Sequence, residues 1–358
     1  MRNTMYSGNT LVQRAIELLR TQLPTGWTIV ADREPRSRRS RDRPDAMLRV
    51  SAPDGSVGRI ILEAKPRVRA VEAAALASRL HEGARSRGAS AVLLVAGYLS
   101  PRARELLAAE GVSYLDMTGN ASIVVDRPAI FITSQGAERD PAPQERQVRS
   151  LKGGSAARVV RALCDWIPPV GVRELARRAM VNPGYVTRVL ALLEGEAVIT
   201  RNESGGVGSV DWRALIRRWT QDYAVTRSNR ALAVLEPRGV ERLVERLRVY
   251  KPLWALTGSR AVPRAAATAT ARLLSCYVEE PEQAAADLGL TRVDVGANVL
   301  LLEPFDGVIW ERTRSEAELT CVAVSQCAAD LLTGTGREPS EGEALLTWMQ
   351  SNESAWRS

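Results

Sequence analysis

Histidine is almost missing from this sequence: His81 alone in 358 residues. Triads that use a histidine base would all depend on it, and nothing near it supports that role, so histidine catalysis is not expected. Cysteine is scarce too, at positions 164, 276, 321 and 327, with no CxxC pair and no histidine close by. A structural zinc site wants four soft ligands at closer spacing; free, mostly buried thiols in a reducing compartment are expected instead. No apolar run approaches the ~18–20 residues that cross a bilayer, and the polar opening MRNTMYSGNT has no signal-peptide core. The expectation is a cytoplasmic protein without membrane contact. No internal repeat is found. Lysine is the last shortage, with three residues (65, 152 and 251) against 46 arginines.

What is present is ordinary globular composition, 45% hydrophobic and 25% charged, which excludes a disordered or fibrous chain. The length exceeds what one core usually serves, so two or three domains are expected. The net charge of +8 is uneven: residues 1–140 carry +6, residues 141–250 carry +8 and residues 251–358 carry −6. A basic front meets polyanions, and an acidic tail suits another task. The polar stretch GAERDPAPQERQVRSLKGG (136–154) reads as a linker, and PRSRRSRDRP (35–44) as an exposed arginine-rich loop. The sequence is therefore divided into an α/β module (1–135), a linker (136–154), a winged helix-turn-helix (155–212) and an α+β domain with an acidic tail (213–358). The fold class is multidomain α+β.

In the first module, Val12, Ile16, Leu19 and Leu23 form a helical stripe. Short β-like runs follow at 27–31, 46–50 and 59–64, then a helix at 69–87 and a strand at 91–96. A helix capped by Ser100-Pro101 and strands near 112–116, 121–125 and 129–133 complete it.

Residues 155–210 read as three helices and a hairpin. The first helix, 155–167, turns Val159, Leu163 and Trp166 or Ile167 inward and stops at Pro168-Pro169. The second is 171–179. The third opens at Asn182-Pro183, a cap followed by proline at the first helical position, and buries Val186, Val189, Leu190 and Leu193. Tyr185, Thr187 and Arg188 are left on its early outer face, where a recognition helix reads base edges in double-stranded DNA. AVITR (197–201) and ESGGVGS (203–209) form a wing that places Arg201 beside the sugar–phosphate backbone, and Arg173, Arg177 and Arg178 offer phosphate contacts. The alternative reading is a helical domain used only for packing.

A second constellation lies earlier. Asp45 follows Pro44 at a strand start, and Glu63-Ala64-Lys65 closes the strand IILEAK. A hairpin would set Asp45 beside Glu63 as two carboxylates for Mg²⁺, with the Lys65 ammonium on the same face and Glu17 of the first helix as a third acid. Arginine cannot give up a proton, so one of three lysines at this place is notable. The arrangement resembles the PD-(D/E)xK nuclease superfamily, which implies a Mg²⁺-dependent deoxyribonuclease with Asp45 and Glu63 on the metal and Lys65 and Glu17 in the catalytic set. The alternative is a salt-bridged acid and lysine.

Tyr114-Leu115-Asp116-Met117-Thr118-Gly119-Asn120 resembles the signature of AbiEi-type transcriptional regulators and antitoxins of type IV toxin–antitoxin systems. Leu256-Thr257-Gly258-Ser259-Arg260, Asn298–Leu301, Ser325-Gln326 and the segment from Asp330 to Trp348 follow in an order similar to the C-terminal part of that group. The resemblance implies an autoregulatory DNA-binding antitoxin that need not touch its toxin. Physically, Thr118-Gly119-Asn120 is a tight turn between strands. Gly258-Ser259 has a nucleotidyltransferase look, but no Asp-x-Asp pair follows it, so nucleotidyl transfer is not expected. The function expected is a sequence-specific regulator, a homodimer on a two-fold operator, with a possible protein partner at the acidic C-terminal domain. The competing reading is a Mg²⁺-dependent endonuclease delivered by the winged helix.

Overall fold

The computed structural model describes residues 8–32, 44–141, 150–266 and 273–358. The arginine-rich loop, apart from Pro44, and the middle of the expected linker (142–149) lie outside the described residues. The chain forms two compact units, residues 1–146 with 195–197, and residues 147–194 with 198–358. Each is a mixture of helices and a seven-stranded sheet. Among the described residues, no helix is long and apolar enough to cross a membrane.

In the first unit the elements run α1 (Gly8–Gln22), β1 (Thr28–Asp32), β2 (Ala46–Ser51), β3 (Val57–Lys65), α2 (Ala73–Arg87), β4 (Ala91–Ala96), α3 (Pro101–Ala109), β5 (Ser113–Asp116), β6 (Ala121–Val125) and β7 (Ile130–Ser134). The sheet follows chain order from β1 to β7. Only β3–β4 and β4–β5 are parallel pairs, and α2 and α3 are the crossovers that parallel pairing requires. The period-two side-chain alternation sorts the two faces. Ile60, Leu62, Leu93 and Val95 pack under α1 through Leu11, Ile16 and Leu19, while Ile61, Val92 and Leu94 pack under Leu76, Leu80 and Leu107 of α2 and α3. Strand β4 is thus apolar on both faces, which is why AVLLVA reads as an unbroken run. The Ser100 hydroxyl caps α3 by accepting from the Ala103 N–H at 3.2 Å. His81 Nε2 lies 2.8 Å from the Glu110 carbonyl oxygen, so the lone imidazole ties α2 to the end of α3.

The second unit begins with α4 (Gly154–Asp165), α5 (Val172–Arg178), α6 (Pro183–Gly195), β8 (Ile199–Arg201), β9 (Val207–Val210), α7 (Trp212–Thr220) and α8 (Val225–Ser228). It continues with β10 (Arg230–Leu235), α9 (Val240–Val249), β11 (Trp254–Thr257), β12 (Leu274–Val278), α10 (Pro281–Asp287), β13 (Thr291–Arg292), β14 (Val299–Glu303), β15 (Arg314–Glu316), β16 (Leu319–Cys321), α11 (Val324–Leu332) and α12 (Glu338–Ser351). Its sheet runs β13-β10-β14-β12-β11-β16-β15. One continuous core joins Val159, Leu190 and Val207 of the leading helices and hairpin to Trp219 of α7 and to Tyr277, Leu301 and Leu331 beyond it. Asp211 caps α7 by accepting from the Ala214 N–H at 3.0 Å, and α7 packs against both α4 and α11. All four cysteines are free and buried, and burial holds their thiols protonated, Cys321 at about 11.

Candidate nucleic-acid interface and strand-end carboxylates

Helix α4 ends at Asp165, two residues earlier than its pattern suggests. Trp166 is half-buried and Ile167 is 51% exposed, so of the two only Trp166 turns inward. Asn182 opens α6: its side-chain oxygen accepts from the Gly184 N–H at 2.8 Å. Val186, Val189, Leu190 and Leu193 are buried along its inner face, as their spacing demands. Thr187 and Arg188 are exposed. The Thr187 hydroxyl donates back to the Pro183 carbonyl at 3.0 Å, a bond within its own helix that holds the side chain against the first turn. Tyr185 departs from expectation. It is half-buried and packs against the core, and the Arg188 guanidinium lies 5.7 Å from its ring centre. A large ring at the helix edge gains more by covering apolar neighbours than by standing in water.

The hairpin pairs Ile199 with Val210 and Thr200 with Ser209, whose hydroxyls lie 2.7 Å apart. At its tip the Asn202 side-chain oxygen accepts from the Gly206 N–H at 2.8 Å. A Cβ on Gly206 would stand 2.8 Å from the Val170 carbonyl, so only glycine lets the hairpin bridge, through Val207, to the turn before α5.

The five arginines named from the sequence divide into two groups. Glu174 binds both nitrogens of one Arg177 edge at 2.9 and 2.7 Å and Arg178 Nε at 2.6 Å. Those hydrogen bonds, Arg177's first, hold its carboxyl at about 2. Arg178 also stacks on Trp166, 4.4 Å from the ring centre, with Arg312 at 4.6 Å. Arg201 donates to the Gly205 carbonyl at 2.7 Å and pairs with Glu194 at 3.5 Å, which fastens the hairpin to the end of α6. Their charges are partly spent inside the protein. Arg173 and Arg188 are exposed, and among the described residues neither has a carboxylate partner. Glu174 was missed by sequence reading, although its three- and four-residue spacing to Arg177 and Arg178 is a helix-pairing signal.

In the first unit the antiparallel register opposes Ala46 to Leu62, so Asp45 comes beside Glu63 at the end of β3. One Asp45 oxygen accepts from the Ala64 N–H at 2.8 Å. Glu63 pairs with Lys65 at 3.7 Å and with Arg79 of α2 at 3.3 Å. Its pKa is raised by burial and then by the Asp45 charge, against the pull of Lys65 and Arg79. Asp45, Glu63 and Lys65 are therefore brought together. Glu17 is not: it is an exposed residue of α1, the helix covering the face of Ile60 and Leu62, whereas Glu63 alternates with them and faces α2. Among the described residues no three carboxylate, histidine or cysteine side chains gather as a metal-binding group. Two carboxylates with open sides still suit Mg²⁺, which keeps several waters and accepts one or two protein acids. Arg79 carried no sequence signal, because helix α2 meets the strand only in the fold.

The Tyr114–Asn120 segment is a buried turn. The Asp116 carboxylate, fully buried, accepts from the N–H groups of Leu99, Thr118 and Asn120 and from both polar side chains of the turn. Gly119 has φ +103°, a conformation glycine takes without strain. Asn120 reaches back to Arg104 at 2.7 Å and to the Gly136 N–H at 2.9 Å, so the first residues of the expected linker are docked on this turn. No family model matches the chain, and neither does any curated protein sequence.

Proposed function

We propose that the protein is a sequence-specific transcriptional regulator, an antitoxin-like autoregulatory repressor, in which α4–α6 and the β8–β9 hairpin act as a winged helix-turn-helix on double-stranded DNA. The observation that supports this most is Arg188: exposed on the early turns of α6, with no carboxylate partner among the described residues to neutralise it. The first turns of such a helix reach base edges in a major groove, where a guanidinium binds guanine through two hydrogen bonds. Arg173, at the start of α5, suits a phosphate. Arg177, Arg178 and Arg201 serve first as internal struts. A homodimer would present two such helices to half-sites about 34 Å apart, and the reading includes a protein partner at the acidic C-terminal domain. Fluorescence anisotropy on a selected site tests the reading. Arg188→Ala should weaken specific binding by ~1–3 kcal/mol while sparing unrelated DNA. Absence of any retention on immobilised duplex at about 0.1 M salt would end it.

The adjacency of Asp45, Glu63 and Lys65 favours a second reading, a Mg²⁺-dependent DNA endonuclease of the PD-(D/E)xK type. Asp45 and Glu63 would hold the ion, which when bound activates water and draws charge from the phosphate. Lys65 and Arg79 would balance the carboxylates and the scissile group. Plasmid nicking that needs Mg²⁺ and is lost in Asp45→Ala supports this; nicking that survives the substitution refutes it.

A further inference from the structure

A cleft in the second unit opens where α8, the ends of β11 and β12, and the α11–α12 turn meet, a notch of about 30 Å³. That is room for about two waters or one very small molecule. Its polar lining is Thr226, Thr257, Ser275, Asp330, Thr335 and Glu338, and among the described residues no basic side chain contributes. Three observations favour a small polar ligand here. Ser275 is only 6% exposed, yet among the described residues no group hydrogen-bonds its hydroxyl. Glu338 uses one oxygen to accept from the Thr335 N–H at 3.0 Å, while its other oxygen has no donor among the described residues. Both free oxygens border Gly258: a Cβ there would lie 3.1 Å from Glu338 Oε1 and 3.6 Å from Ser275 Oγ, so the bare glycine leaves the room. Both oxygens face the cleft, and a half-buried carboxylate with a free oxygen favours a cation that carries N–H groups.

The wall of this cleft continues into the leading helices. Thr257 donates to Asp330 Oδ2 at 2.5 Å, and Gln326 Nε2 donates to Asp330 Oδ1 at 2.8 Å. Arg161 of α4, 2% exposed, donates to the Gln326 oxygen at 3.1 Å and to Asp165 at 3.1 Å. Trp166 follows Asp165 and carries Arg178 of α5.

We propose that this cleft binds a small organic cation, an amine or guanidine, between Ser275 and Glu338, and that its occupancy is relayed through Asp330, Gln326 and Arg161 to the helices before α6. The binding half stands alone; the relay rests on the DNA-binding reading. The burial of Glu338, which raises its pKa, agrees with a site that gains by receiving positive charge.

The test uses the full chain with ethanolamine and guanidinium as probes, and ethylene glycol and acetate as neutral and anionic controls. Both cations should raise the melting temperature by about 2–4 °C at ten times Kd, and the controls should not. Glu338→Gln should abolish the shift, and Ser275→Val should weaken it at least about threefold, with circular dichroism checking that both variants fold. Equal shifts from ethylene glycol, or a cation shift that survives Glu338→Gln, would overturn the site. Since melting is read without DNA, that failure is separate from failure of the DNA reading. In anisotropy, ethanolamine should change duplex affinity about fivefold or more; a cation that binds and leaves DNA affinity unchanged would refute the relay.

Discussion

Asp116 in the first unit and Asp330 in the second are each buried under a full set of hydrogen bonds, and the two sets are built differently. Asp116 in the first unit takes its donors from its own turn and from Leu99, no more than 17 positions away. Asp330 in the second unit takes its donors from Tyr223, Thr257, Tyr277 and Gln326, which reach it from as far as 107 positions away. Backbone N–H groups dominate the first set, and hydroxyls and an amide make up the second. The first aspartate therefore organises a turn and the second ties layers together. Fixed N–H groups cannot turn away when their acceptor is lost, whereas hydroxyls can rotate to new partners.

That difference is sharpest if each carboxylate is removed. Asp116→Ala should be the most damaging change, because three buried or half-buried N–H groups lose their acceptor at ~1–3 kcal/mol each. A loss on the order of 4 kcal/mol is expected in urea unfolding. Hydrogen exchange should accelerate across β5–β6 and leave α11 protected. Equal acceleration in both units would break the distinction between a local latch and a long-range tie.

Asp330→Asn should cost less, about 1–3 kcal/mol at neutral pH, because the new amide can face the Thr257 and Tyr277 hydroxyls, which accept as well as donate. Its pH dependence has a definite sign. Burial raises the Asp330 pKa above its ordinary value, against the pull of its hydrogen bonds, so the folded state holds the proton more tightly than the unfolded one. Stability from this group is complete below the ordinary aspartate range and falls as pH rises through the folded value. Asparagine has no such dependence, so the penalty of Asp330→Asn should grow as pH is lowered from neutrality toward the ordinary aspartate range, about 4. A penalty that shrinks over that window would mean that the anion, not the acid, is the form the core prefers.

The same contrast of local and remote explains what the sequence discloses. The alternation in β3 and β4, the cap at Ser100, the turn at Gly119 and the inner stripe of α6 are decided by neighbours within a few residues, and all of them were legible. The pairing of Arg79 with Glu63, the exclusion of Glu17 by sheet parity, and the Arg161–Gln326–Asp330 chain depend on which elements the fold stacks together. Gln326 is 165 positions from Arg161, and no spacing rule links them. The strand-end site lies between these cases. The register made Asp45 and Glu63 neighbours as the hairpin pattern suggested, but the counter-charge from α2 could not be read.

The smallest effect concerns Glu174, a local contact that the sequence could have disclosed. It sits one turn before Arg177 and Arg178 and neutralises both at the surface, so its ionisation should persist to about pH 2. A side-chain carboxyl titration followed by NMR should place its midpoint there, and the double substitution of Arg177 and Arg178 by alanine should return it to about 4.3. If α5 lies along DNA, Glu174→Gln releases two guanidinium groups toward phosphates. Duplex affinity should then rise about two- to fivefold at low salt, and the slope of log K against log salt should steepen by up to about two. A steeper slope without sharper sequence preference would assign these arginines to the backbone and leave specificity to Arg188. An unchanged slope would mean that Trp166 and the α5 backbone hold both side chains in place even without their carboxylate, and that the phosphate-facing surface of this unit lies elsewhere.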